Sequence, residues 1–342
     1  MTDAEDVGSA IAALIAANRP DAQDVAITSL SRIVGGNSAE IWRFDASWAG
    51  EEVGHPLILR RSAETEFGSS GRAAEFRLLR SLEGRGVPAP AALWLDGDGA
   101  VLGRPAMVLE RLPGKADRNL LRDDNRCGFD SSRRHRLAGQ MADILASIHG
   151  VDVGGLDLDD GMRSGPNPAA RQLAFYDAEI ARDEVEPMPE LRLASLWLAE
   201  HLPPPPARRA LVHGDYRPAN LLVDDEAVAA VLDWEFAHEG DPAEDLGWFL
   251  SPYYTPEHFP DGLWTPDDFI ARYEAASGTL VDRAAAHFWS VFAMYKLASM
   301  TMAALAAAVA GDVARLAPSA RFIVDPLLRS IVVPPVWTGG EP

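Results

Sequence analysis

Residues 211–222, LVHGDYRPANLL, and residues 231–235, VLDWE, decide how this chain is read. Leu221-Leu222-Val223 and the run 228–232 are apolar and flank Asp224-Asp225-Glu226-Ala227. That pattern predicts a β-hairpin with a short loop. If Val223 pairs with Val228, Asn220 falls opposite Val231, and Asp233 shares that face because strand side chains alternate. The expectation is a diagonal cross-strand pair, about 7–8 Å apart at the backbone, whose side-chain oxygens converge on one hard cation. A carboxylate and a carboxamide, with room for water and phosphate oxygens, suit Mg2+, which dehydrates reluctantly and seldom sits in an all-protein cage. Asp215 lies in the turn leading into the hairpin, placed to face a substrate hydroxyl.

Outward from this block, the N-terminal third alternates short strands with one helix. Residues 6–17 read as a helix, and 27–34 and 40–45 as strands around the hairpin tip Gly35-Gly36-Asn37-Ser38, whose residues tolerate positive φ. A third strand is predicted at 56–61. Phe76, Leu79 and Leu82 recur at helical spacing within 71–82. Two further strands are expected within 101–110, broken at Gly103-Arg104-Pro105. After Leu112-Pro113-Gly114 helical patterns dominate, at 133–149, 169–182, 284–310 and 313–328, with a polyproline spacer at 202–206. The fold class expected is α+β and bilobal: an N-terminal helical extension (1–26), a small antiparallel-β N-lobe (27–112) and a larger, mainly helical C-lobe (113–342).

Composition narrows the function. The chain has 342 residues, enough for two domains. Its 51 acidic against 31 basic residues give a net charge of −20. That disfavours nucleic acid, whose binding rests on Lys and Arg meeting phosphates. Cys127 is the single cysteine, which excludes an internal disulfide. The acidic N-terminus lacks the basic region of a secretory signal. The uncharged stretch 297–311 is shorter than the ~20 residues a membrane span needs. A cytoplasmic setting with no membrane partner is expected. Oligomeric state is not legible.

A catalytic-loop Asp, a metal-holding Asn in the same loop and a second metal-holding Asp after a hairpin form the layout of kinase active sites. His213-x-Asp215-x-x-x-x-Asn220 followed by Asp233 resembles the aminoglycoside phosphotransferase and choline kinase superfamily, which is protein-kinase-like in fold. With 233–248, DWEFAHEGDPAEDLGW, it looks most similar to the kinase-like domains associated with acyl-CoA dehydrogenases. The resemblance covers roughly residues 27–330 and implies a role at each matching position. Asp215 would be the catalytic base, Asn220 and Asp233 the Mg2+ ligands, and His213, Arg217, Glu235 and Asp245 supporting residues. Gly35, Gly36, Asn37 and Ser38 would cover the phosphates of ATP or GTP. Neither lysine, Lys115 or Lys296, lies on a suitable strand. Arg60 is therefore assigned to the phosphates, with Glu75 as its helix partner. Glu110 and Leu112 would form the hinge that binds adenine, with Met107 and Leu222 on the apolar wall.

The activity implied is transfer of the γ-phosphate of ATP or GTP to a hydroxyl of a small molecule. The aromatics Phe175, Tyr176, Trp248, Phe249, Tyr253, Tyr254, Phe259 and Trp264 favour a hydrophobic hydroxylated metabolite, and the resemblance implies a hydroxyacyl-type acceptor with a functional link to an acyl-CoA dehydrogenase. The alternatives are an aminoglycoside O-phosphotransferase, a nucleotide-binding pseudokinase without turnover, and a metal hydrolase using His213, Asp215, Asp233 and His238.

Overall fold

The computed structural model describes residues 3–33, 39–50, 54–62, 71–163, 165–225, 227–309 and 320–338. The candidate phosphate-covering residues Gly35–Ser38 lie outside them. The N-terminal part contains α1 (Asp3–Asn18), β1 (Ala26–Ile33), β2 (Ala39–Ser47), β3 (His55–Ser62), α2 (Arg72–Leu82), β4 (Ala92–Asp96) and β5 (Ala106–Glu110). The strands form one antiparallel sheet in the order β1-β2-β3-β5-β4.

Strand alternation sorts this sheet into two faces. Trp42, Phe44, Leu57, Leu59 and Val108 pack with Val7, Ile11, Leu14 and Ile15 of α1. The first helix is thus built into the sheet's core rather than appended to it. Ile58, Met107 and Leu109 face the other way, toward Leu78 and Leu79 of α2. Arg60 sits directly opposite Met107 and shares this second face. The strand expected near Val101 does not form. The Asp96 carboxylate accepts the Leu102 N–H at 2.7 Å and the Val101 N–H at 3.1 Å, which folds that segment into a turn, and the fifth strand is β4 instead.

The rest of the chain is mainly helical: α3 (Ser131–Gly150), α4 (Pro168–Asp183), α5 (Pro189–Glu200), α6 (Ala243–Phe249), α7 (Thr255–His258), α8 (Pro266–Ser277), α9 (Arg283–Val309) and α10 (Ala320–Val332). Two small antiparallel sheets sit among them, β6 (Ala210–Val212) with β9 (His238–Gly240), and β7 (Leu221–Asp224) with β8 (Ala227–Val231). One core joins the two parts, running from α2 and β5 through α3 to β7, β8, α6 and α8. A second binds α4, α5, α9 and α10.

By length and apolarity α9 would pass for a membrane span. Here Trp289, Phe292, Tyr295 and Met302 are buried against neighbouring helices, as expected of a core helix apolar on all sides. Its approach to α6 depends on Gly247, where a Cβ would lie 2.5 Å from the Trp289 backbone.

Candidate active site

The hairpin of β7 and β8 pairs Val223 with Val228 as the sequence predicts. A bulge between Leu222 and Val223 then shifts the register by one. Leu221, not Asn220, faces Val231, and the Leu232 N–H donates to the Asn220 carbonyl at 2.8 Å. The predicted Asn220–Val231 pairing is corrected accordingly. Asp233 leaves the strand in the left-handed region, at φ 67° and ψ 63°, a conformation that Asp tolerates better than most residues. Asn220 and Asp233 remain together at one end of the hairpin.

The loop before β7 is held from behind. Asp245, fully buried at the start of α6, accepts the His213 N–H at 2.7 Å and the Gly214 N–H at 2.8 Å. His149 Nε2 donates to the same carboxylate at 3.1 Å. Burial works against the Asp245 charge, but His149 and these bonds outweigh it and hold the carboxyl below its usual range. His213 Nδ1 accepts the Asp215 N–H at 3.2 Å, so Nε2 carries the proton and donates to the Leu232 carbonyl at 3.0 Å. His213 therefore braces the loop against β8.

The Asp215 carboxylate is buried but for a small opening. Asn220 Nδ2 donates to its Oδ2 at 2.7 Å and to its backbone carbonyl at 2.9 Å. Arg217 Nε donates to Oδ1 at 2.8 Å, and Asp215 in turn raises the pKa of that guanidinium. With Nδ2 committed, the Asn220 carboxamide oxygen is an acceptor with no partner among the described residues. Arg217 lies over the Tyr254 ring at 5.7 Å.

Across the cleft, Arg60 Nη1 donates to Glu75 Oε1 at 2.6 Å, and Nη2 to Asp233 Oδ1 at 2.5 Å. Burial opposes the Arg60 charge, but Glu75, then Asp233 and Glu235, raise its pKa on balance. Burial likewise pushes Asp233 up, while Arg60 more than offsets it and leaves the carboxyl low. Glu75 is fully buried and receives a second guanidinium, from Arg72, on its other oxygen. Glu235 is buried near Arg60.

At the end of β5, the Glu110 N–H donates to the Ala91 carbonyl and the Arg111 N–H to the Pro56 carbonyl, each at 3.0 Å. The Glu110 N–H thus faces away from β3, and Leu112 lies two residues beyond the end of the strand. The Glu110 side chain accepts the Ala91 N–H at 2.8 Å, so it braces the turn. Met107 is buried on the Arg60 face, and Leu222 is half-buried on β7.

The predicted aromatics divide. Tyr176 and Tyr254 both feel the Asp215 charge, and burial raises both phenols well above their usual range. Trp248 packs with Tyr254. Phe259 and Trp264 instead pack with Phe249 and Phe269 in the core, and Phe175, 40% exposed, sits edge-on against Tyr176. His238 is held by Glu244 and the Phe236 carbonyl, and among the described residues no three His, Cys, Asp or Glu side chains gather as a metal site. A hydrolase centre on His213 and His238 has no support in this arrangement.

Arg72 and Lys296 were not singled out from sequence. Lys296 Nζ donates to the Gly214 carbonyl at 2.7 Å. A charged residue between Tyr295 and Leu297, inside an otherwise apolar helix, was the available signal.

A strand cation paired to a helix carboxylate, over a loop carrying Asp and Asn with a second Asp after a hairpin, is the bilobal kinase-like arrangement. The chain belongs to the phosphotransferase enzyme family, whose model matches residues 29–289. It is 34% identical over 208 residues to mouse acyl-CoA dehydrogenase family member 10, covering 60% of this chain and 19% of that protein. Mouse family member 11 is 27% identical over 240 residues, covering 66% and 30%. The chain thus spans a third or less of these relatives' length. Among solved structures, a candidate aminoglycoside phosphotransferase of Ralstonia eutropha superposes with a TM-score of 0.71 at 21% identity, covering 95% of this chain and 98% of that one. A thermostable mutant of the aminoglycoside phosphotransferase APH(4)-Ia, in ternary complex with ADP and hygromycin B, gives 0.63 at 15% identity, covering 93% and 96%. The fold is that of the protein-kinase-like aminoglycoside phosphotransferases.

Proposed function

We propose that this chain moves the γ-phosphoryl group of ATP to a hydroxyl of a small, largely apolar molecule, with Asp215 as the group that accepts the hydroxyl proton. The observation that carries this reading is the grouping of Asp215, Asn220 and Arg217 on one side of a cleft whose other side presents Arg60 to Asp233. ATP is favoured as donor because a structural neighbour was captured with ADP.

The donor set fits Mg2+. The carboxamide oxygen of Asn220 and the carboxylate of Asp233 are hard ligands, too few for a cage, which leaves positions for water and phosphate. When bound, the ion supplies charge neutralisation to the phosphates. The chain's own residues do the rest. Arg60, firmly protonated between Glu75 and Asp233, offers its guanidinium to the phosphates. Glu110 and Leu112 present backbone groups to the adenine edge. Asp215, held by Asn220 and Arg217, receives the acceptor's proton. Catalysis then rests on positioning and charge, since phosphoryl transfer needs little covalent help.

On the acceptor side, Tyr176, Phe236, Trp248 and Tyr254 form an apolar wall that contains the Lys296 ammonium. Buried aromatic rings there favour an uncharged, largely apolar compound over a polycationic aminoglycoside. Together with the relatives named for acyl-CoA dehydrogenases, this supports a hydroxyacyl-type acceptor and a functional link to such a dehydrogenase. The chain keeps Asp215, Asn220 and Asp233 together, which supports turnover over binding alone.

The test is ADP release from ATP across a panel of hydroxyacyl compounds, simple alcohols and aminoglycosides, for the native chain and an Asp215→Asn variant. Acceptor-dependent turnover with a non-cationic compound, lost in the variant, is the expected result. Turnover retained by Asp215→Asn, or confined to aminoglycosides, contradicts the assignment.

A further inference from the structure

The reaction outlined above gives Lys296 no part, yet its placement is costly. It emerges from the middle of α9 and is 3% exposed. Taking an ammonium out of water is unfavourable, and a Leu or Met at this helix-core position would avoid it. Its single hydrogen bond among the described residues goes to the Gly214 carbonyl, at 2.7 Å. Three aromatic rings surround the remaining donors: Phe236 at 4.6 Å, Trp248 at 5.1 Å and Tyr176 at 5.8 Å. Burial lowers the Lys296 pKa on balance, only partly offset by Glu244, Asp215, Asp245 and Glu235, and among the described residues none of these forms a direct ion pair with it.

The bond to Gly214 is informative because of what shares that peptide. A peptide group is planar, so the Gly214 carbonyl and the Asp215 N–H move as one body. Lys296 holds the oxygen of this plane, and His213 Nδ1 holds its N–H at 3.2 Å. The preceding peptide is held by Asp245 through the Gly214 N–H. Gly214 itself lies at φ 79°, and a Cβ there would stand 2.7 Å from the Phe236 carbonyl oxygen. Turning the plane before Asp215 would swing its carboxylate away from the cleft.

We infer that Lys296 is a positioning residue of the transfer site: by holding the Gly214 carbonyl it fixes the peptide plane that aims the Asp215 carboxylate at the acceptor. This inference rests on the phosphotransfer reading of Asp215.

The experiment uses the full chain with Lys296→Met, which keeps the volume and removes the donor, and Lys296→Arg, which keeps charge and donors. Lys296→Gln replaces the Met variant should that one not fold, because its shorter neutral side chain also releases the carbonyl. MgATP affinity is measured by calorimetry, ATP turnover to water by ADP release, and hydrogen exchange over residues 213–217 by mass spectrometry. The Met variant is expected to bind MgATP within about twofold of the native chain, while kcat falls about 10- to 100-fold at unchanged KM, as for a reacting group displaced by about 1 Å. Exchange over 213–217 rises in it, and the Arg variant recovers most of both losses. Native kcat in the Met variant, or unchanged exchange over 213–217, overturns the inference. The exchange readout stands whatever the native rate of hydrolysis. Failure of the native chain to bind MgATP instead overturns the phosphotransfer reading on which the inference rests.

Discussion

Arg60 on β3 and Asp233 at the end of the β7–β8 hairpin form a 2.5 Å ion pair that closes the cleft between the two parts of the chain, while the same guanidinium holds Glu75 at 2.6 Å. A planar fork with two separated donors can serve both carboxylates at once, which a lysine ammonium does less well. Arg60→Lys is therefore expected to weaken MgATP binding about tenfold, a change of about 1.4 kcal/mol, with the fold retained. Arg60→Ala should also destabilise the chain, but only by about 1–3 kcal/mol, because Arg72 still holds the other oxygen of Glu75. Calorimetry and urea unfolding of the two variants separate these effects.

Asp215→Asn removes the proton acceptor while keeping the shape of the loop. It is expected to leave MgATP affinity close to native and to lower phosphoryl transfer by about 10²–10⁴-fold, the usual range for a positioned base. Parallel binding and turnover measurements check this split.

Much of this site could be read from the amino-acid sequence. The Arg60–Glu75 pair followed from the family resemblance, which asks for a strand cation and a helix carboxylate; the strand at 56–61 offers Arg60 and Arg61, and the helix at 71–82 offers Glu75. The hairpin followed from two apolar runs around an acidic loop. The bulge did not, because it leaves the Val223–Val228 pairing intact and shifts the register only beyond it. The strand at Ala92–Asp96 was missed because the apolar pair Val101-Leu102 looks equally extended until the Asp96 carboxylate turns it. Lys296 escaped because α9 is apolar on all sides, so periodicity assigns its charge to no particular face.

Two glycines give a paired test of packing. Gly247→Ala places a Cβ 2.5 Å from the Trp289 backbone, which has no flexible side chain to move aside. It should cost about 1–3 kcal/mol or more through overpacking and disturb the α6–α9 contact. Gly139, within α3, has nothing within 4 Å of its Cβ position, and Gly139→Ala should stabilise the chain by about 0.4–1 kcal/mol. Thermal unfolding of the two variants is expected to move in opposite directions.

Acid sensitivity follows from His258. Burial, partly offset by the bond to the Phe249 carbonyl, lowers its pKa from 6.5 to about 3. Between these values the unfolded chain binds a proton that the folded chain does not, so stability falls as pH drops below about 6.5. From pH 7 to pH 5 this residue alone removes about 2 kcal/mol. Urea midpoints across that range should decline, and His258→Leu should flatten the decline.

The most direct test of the central claim is calorimetric titration of MgATP into the native chain and into Asp233→Ala and Asn220→Ala variants. The account predicts saturable, Mg2+-dependent binding to the native chain that falls at least about tenfold in each variant, since each removes one hard ligand. Native-like MgATP affinity in both variants, or no binding by the native chain, would contradict it.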